Sequence, residues 1–210
     1  MTEFDAAFQA RLSELIAWRR DVRRFEPTPL PPGTLERLIE AACRAPSVGL
    51  SQPWRFVTVD DPARRAAIVA EFTRANADAL AAQPAERAGS YAALKLAGLV
   101  EAPAHLAVFA DRGTAIGHGL GRGTMPEMAE YSAVAAVMTM WLVARAEGIG
   151  MGWVSILDPA TVGIALDVPA SWRLIGYFCL GYASAADDTP ALERAGWEYR
   201  RPVRDVITRR

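Results

Sequence analysis

This sequence of 210 residues is short of several things, and each shortage excludes a class of protein. It has two cysteines, Cys43 and Cys179, too few for a disulfide framework. Both read as small buried apolar residues. It has two histidines, His105 and His118, and neither C-x-x-C nor H-E-x-x-H spacing, so no metal site is expected. His105 falls in an expected strand and reads as a packed structural residue. An excess of one charge is also missing. With 23 Lys+Arg against 24 Asp+Glu the net charge is -1, which argues against nucleic acid as a partner. The longest nearly unbroken apolar stretch, Tyr131 to Ala144, is closed by Glu130 and Arg145. It falls short of the ~20 residues of a membrane span and reads as a buried core helix. The first residues, MTEFDAAFQA, lack the basic start and apolar stretch of a signal peptide. The expectation is a soluble cytoplasmic protein with no membrane partner.

What is present describes a folded chain: 51% hydrophobic and 22% charged residues. No repeat and no linker divides it, so residues 1–210 are expected to form one domain. Phe8, Leu12, Leu15 and Ile16 share one face of an expected helix over 5–18. Prolines 27, 29, 31 and 32 then forbid regular structure, and a second helix is expected to about Arg44. Trp54 to Val59 reads as a strand. Pro62 opens an Ala-rich helical excursion, broken at Pro84, that reaches about Leu99. His105 to Ala110 is a second strand. A glycine-rich loop over 117–123 matches neither a dinucleotide fingerprint nor a P-loop. Thr124 and Glu127 fit a capping box for the core helix, which Gly148 ends. Gly150 to Ile156 is a glycine-led strand, Asp158-Pro159 caps a short helix, and Arg173 to Tyr182 is the last strand. The tail from Gly196 is polar and basic and is expected to pack as an arm. Helices and strands are interspersed without strict alternation, which predicts an α+β fold.

Four segments can carry chemistry. Arg19-Arg20-Asp21-Val22-Arg23 puts three guanidinium forks within five positions, suited to a phosphate or to plain solvation. Asp21 among those arginines is expected to have a lowered pKa and to be ionised at pH 7. Ser47, Ser51 and Gln52 offer polar groups on a Gly/Pro-shaped turn. Gly152-Trp153-Val154-Ser155 either lets backbone approach a flat ligand or simply starts a strand. Arg200-Arg201 either adds a phosphate contact or solvates the tail.

Taken in order, RRDVRRF, APSVGLSQPWRF, GLGRGTMPE with YS, ARAEGIGMGWVSI, CLGY and GWEYR resemble the nitroreductase-like flavoprotein family over about Leu15 to Pro202. Ordinary members carry Arg-Arg-Ser at the first motif, and here Asp21 stands in the serine position. With Ser155, it makes the chain look like the flavin-destructase branch of cobalamin lower-ligand synthesis.

That resemblance implies a mainly antiparallel sheet flanked by helices, with the apolar helix at a homodimer interface. It implies reduced FMN as substrate and O2 as co-substrate, giving 5,6-dimethylbenzimidazole and erythrose 4-phosphate. Arg19, Arg20 and Arg23, with Arg200, would hold the FMN phosphate, with Val22 among them. Ser47 and Gln52 would bond the ribityl chain or ring edge. Gly152, Trp153 and Val154 would present backbone along the ring, and Ser155 would put a hydroxyl near a ring nitrogen. Asp21 and Ser155 would be the catalytic residues. Tyr91 to Leu96 would form a lid, with Arg122 and Met125 lining the same pocket. A separate flavin reductase would supply reduced FMN. An NAD(P)H-dependent nitroreductase and a non-catalytic flavin carrier remain the alternatives.

Overall fold

Asp-Pro pairs start two of the helices. In the computed structural model, which describes residues 3–94, 98–185 and 187–210, helices α3 (Pro62–Ala81) and α7 (Pro159–Leu166) each begin with proline. Asp61 accepts from the Ala63 N–H and Asp158 from the Thr161 N–H, both at 2.8 Å. Each carboxylate satisfies a donor that the helix start leaves open, and proline has none to lose there. Asp5 does the same for α1 (Ala6–Trp18), bonding the Phe8 N–H at 2.8 Å. The other helices are α2 (Thr34–Ala42), α4 (Ala85–Ala93), α5 (Gly98–Glu101), α6 (Met128–Ala146) and α8 (Ala191–Arg194). Pro84 precedes α4 and breaks the Ala-rich excursion, as its missing N–H requires.

Among the described residues the strands are β1 (Trp54–Thr58), β2 (Ala104–Asp111), β3 (Gly150–Val154) and β4 (Trp172–Gly181). They form one antiparallel sheet in the order β1-β2-β4-β3. Alternation sorts its side chains to two faces. Leu106, Val108, Met151, Phe178 and Leu180 face α2 and α6. Ala107, Phe109, Tyr177 and Cys179 face the side covered by α3, α7 and Phe25. Helices on both faces therefore bury the sheet, and β2 is closed to solvent along most of its length. The α+β expectation with a mainly antiparallel sheet holds.

Three local expectations are corrected. Cys43 is exposed just past α2, while Cys179 is buried in the sheet. Thr124 and Glu127 form no capping box. The chain stays in turns to residue 127, Glu127 has helical dihedrals, and α6 starts at Met128 without a side-chain cap. The tail does not pack along its length: of residues 194–210, all but Trp197 are exposed. The helical periodicity of α1 is present, but its face is bare, with Phe8, Leu12 and Ile16 exposed and none of its residues buried.

Candidate functional site

The stretch after α1 docks on the free edge of β3. Asp21 bridges Met151 in parallel, and the Val22 N–H bonds the Met151 carbonyl at 3.0 Å. Gly152 makes this possible. A Cβ there would lie 2.1 Å from the Val22 carbonyl oxygen, so the glycine gives room to the protein's own chain. The Asp21 carboxylate then reaches across, and its Oδ1 accepts from the Trp153 N–H at 2.8 Å. The sequence motifs RRDVR and GWVS, some 130 positions apart, thus meet through one hydrogen bond.

The arginines follow from this docking. Arg19 lies over Trp141 of α6, its guanidinium carbon 5.0 Å from the ring centroid. The Trp141 indole N–H donates to the Arg20 carbonyl at 3.2 Å. Arg23 Nε donates to Asp21 Oδ2 at 3.4 Å. Arg19, Arg20, Asp21, Arg23 and Arg200 line one cavity of about 190 Å³, closed on another side by Pro190, Ala191 and Leu192. The Nε groups of Arg19 and Arg20 are buried without a hydrogen-bond partner among the described residues. Burial, Arg200 and Arg19 together lower the Arg20 pKa. Four guanidinium groups around one carboxylate leave positive charge and buried donors to be satisfied, which is the donor set a phosphate dianion takes.

Asp21 reverses the sequence expectation. Its pKa is raised, because burial penalises the carboxylate more than the Trp153 N–H, Arg23 and Arg19 favour it. The surrounding protein supplies that burial, although 38% of the side chain remains accessible. A carboxyl held nearer to neutrality suits proton exchange better than one pinned by arginines.

Around Asp21 the other residues divide. Gly152, Trp153, Val154, Leu99 and Cys179 adjoin it around a small cavity of about 20 Å³. Trp153 packs on Phe178 at 5.0 Å between centroids, and its indole nitrogen is buried without a partner among the described residues. Ser155 follows the end of β3 with an exposed side chain. Ser47 and Gln52 do not converge here. Ser47 Oγ accepts from the Gln52 N–H at 3.1 Å, closing its own turn before β1. That turn sits at the β1 edge near the level of Arg173, whereas Gly152 pairs Cys179 at the opposite edge. Strand spacings put the two corners roughly 14 Å apart across the sheet and ~20 Å along it. Arg122 donates to the carbonyls of Thr114 and Ile116, both at 2.9 Å, so it staples its own loop. Met125 is exposed. In the expected lid, Tyr91 lies in α4, and residues 95 and 96 lie outside the described residues.

Sequence reasoning missed Trp141, which holds both Arg19 and Arg20. It read as one more apolar residue of the core helix, and nothing local distinguishes an indole that stacks under an arginine 122 positions away. It also missed Pro190 to Leu192, whose place in the cavity wall has no motif.

The chain is similar to several known proteins. The Nitroreductase family model matches residues 16–182. The 5,6-dimethylbenzimidazole synthase of Rhodospirillum rubrum is 56% identical over 199 residues, covering 95% of this chain and 94% of that protein. The enzyme of that name from Rhodobacter capsulatus is 45% identical over 200 residues, covering 95% and 97%. Among solved structures, oxidized iodotyrosine deiodinase bound to FMN and 3-iodo-L-tyrosine superposes with a TM-score of 0.71. It is 24% identical over 84% of this chain and 91% of its own, a likeness of fold. The chain belongs to the nitroreductase family, and within it to the group of the 5,6-dimethylbenzimidazole synthases.

Proposed function

We propose that this chain fragments reduced FMN, with O2 as co-substrate, into 5,6-dimethylbenzimidazole and erythrose 4-phosphate, the pyrimidine portion of the ring leaving as a third fragment. The observation that carries the reading is the cavity where Arg19, Arg20, Arg23 and Arg200 surround Asp21. Relatives at 56% and 45% identity that bear the synthase name point the same way. When bound, reduced FMN supplies both the electrons that O2 takes up and the ring and ribityl carbons of the products.

The chain's own residues divide the remaining work. The four arginines bind the phosphate and so fix where the ribityl chain starts. Asp21, tied to the Trp153 N–H, stands at the meeting of that cavity and β3. Its raised pKa fits it to accept a proton from the ribityl chain. Val22 and Gly152 hold Asp21 in place by their backbone contact. The backbone of Gly152, Trp153 and Val154 offers an edge to the ring, and Ser155 offers an exposed hydroxyl just beyond it. The described residues contain no cluster of three His, Cys, Asp or Glu groups able to hold a metal.

The working unit in this reading is a homodimer. Phe8, Leu12 and Ile16 of α1 and Tyr131, Val134 and Met138 of α6 expose apolar surface. A second copy would cover it and would bring its own Ser47 and Gln52 toward the arginine corner. No helix among the described residues is long and apolar enough to cross a membrane. The reading places the enzyme in the cytoplasm, supplied with reduced FMN by a separate flavin reductase.

The test mixes purified protein with reduced FMN in air and separates the products by chromatography. Dimethylbenzimidazole is the expected product. Oxidised FMN alone, from protein that binds it, would overturn the reading in favour of a nitroreductase or a carrier.

A further inference from the structure

Arg200 poses a physical problem. It sits on an exposed stretch with no regular structure, yet it lines the cavity with Arg19, Arg20 and Arg23. Like charges at close range repel, and Arg200 already depresses the pKa of Arg20. A free tail would swing its guanidinium into solvent. Something must anchor it before any anion arrives.

Trp197 is placed to do so. It is the one residue of 194–210 that is not exposed. Its ring meets Tyr91 of α4 edge-on, with centroids 6.2 Å apart, and the Arg87 guanidinium carbon lies 5.7 Å from its centroid. Tyr91 is itself held, its hydroxyl donating to Asn76 Oδ1 of α3 at 2.9 Å. The approach of Trp197 is set by the end of α8. Gly196 takes a left-handed φ of 66°, its N–H bonds the Glu193 carbonyl at 3.0 Å, and the Trp197 N–H bonds the Leu192 carbonyl at 2.9 Å. That paired pattern is a helix-ending turn that reverses the chain and aims the next side chain. The same short helix lends Ala191 and Leu192 to the wall of the arginine cavity. The turn therefore links the cavity wall, the anchor and Arg200 within ten residues.

We propose that Trp197 is a positioning residue for Arg200, anchoring the C-terminal segment on α4 so that the fourth guanidinium is held over the phosphate of the flavin. The inference rests on the reading of the arginine cavity as the FMN phosphate site. It predicts that Trp197 governs preference for a phosphorylated flavin without touching the ligand.

Oxidised FMN and riboflavin, which differ by the phosphate, are titrated into the full chain with flavin fluorescence as readout. Wild type binds FMN more tightly. Arg200→Ala and Trp197→Ala each lower the FMN-to-riboflavin affinity ratio by roughly tenfold, with riboflavin affinity unchanged. Trp197→Phe, which keeps an aromatic face for Tyr91 and Arg87, retains the wild-type ratio. The double variant Arg200→Ala/Trp197→Ala loses no more than Arg200→Ala alone, because the anchor acts through the arginine. An undiminished ratio in Trp197→Ala overturns the proposal. So does an equal loss for both flavins, or additive losses in the double variant. A wild type that binds both flavins equally would instead remove the phosphate reading itself, and the proposal with it.

Discussion

A carboxylate beside arginines is ordinarily pulled toward ionisation, and Asp21 goes the other way because burial outweighs its neighbours. Its folded pKa lies above the usual carboxylate value, so the ionised form appears only above that raised pKa. Product formation that needs the carboxylate should therefore fall on acidification at a higher pH than an ordinary aspartate would give. Asp21→Asn keeps an oxygen for the Trp153 N–H and removes the basicity. Product formation in the variant should drop by about 10²–10⁴-fold while FMN still binds, measured by chromatography and flavin titration. Full activity would remove Asp21 from the chemistry. His105 gives a second prediction at this scale. It is buried, and its Nε2–H donates to the Ala102 carbonyl at 3.2 Å while Nδ1 accepts from the Tyr177 hydroxyl at 2.9 Å. Burial, then Arg65, lowers its pKa from 6.5 to about 4. The unfolded chain takes up that proton first, so stability falls as pH drops from 6.5 toward 4, by on the order of 3 kcal/mol. His105→Gln, which can still donate and accept, should flatten that part of a urea-denaturation pH series. An unchanged slope would mean other groups carry it.

Among the elements, the docking of Asp21 and Val22 on β3 decides most. Gly152 is the permissive residue, and the reason is contact between two stretches of backbone. Gly152→Ala would drive a methyl into the Val22 carbonyl and lift Asp21 from Trp153. We expect a cost of about 1–3 kcal/mol in urea denaturation together with weaker FMN binding. Unchanged FMN affinity would show that the docked stretch does not shape the site. In the sequence this glycine suits either a ligand's approach or a strand start, and neither names its actual neighbour, the Val22 carbonyl. The helix starts were better legible. Asp61-Pro62 and Asp158-Pro159 are complete local signals, since the capping group and the donor it satisfies lie two or three residues apart. Thr124 and Glu127 show the limit of such signals, because a capping spacing can lie within turns that end before the helix begins.

At the scale of the molecule, two apolar faces and a divided set of site residues point to a second copy. Ser47 and Gln52 lie at one corner of the sheet, Asp21 and the arginines at the other. Sedimentation should give twice the monomer mass. Leu12→Glu, which sets a charge on the exposed face of α1, should shift it toward monomer and weaken FMN binding in step. A wild-type monomer that binds FMN fully would overturn the dimeric site.

Composition, periodicity and ordered motifs by themselves determined the α+β class, all four strands, most helix boundaries and the family. These depend on residues close in sequence or on a shared order of motifs. Only the tertiary structure decided the direction of the Asp21 shift, the exposure of Cys43, the bare face of α1 and the separation of Ser47 from Arg19. Each of these depends on which distant segment comes to lie alongside. Burial and electric field are sums over spatial neighbours, and Trp141 beneath Arg19 or Trp197 against Tyr91 is a neighbour that no spacing announces.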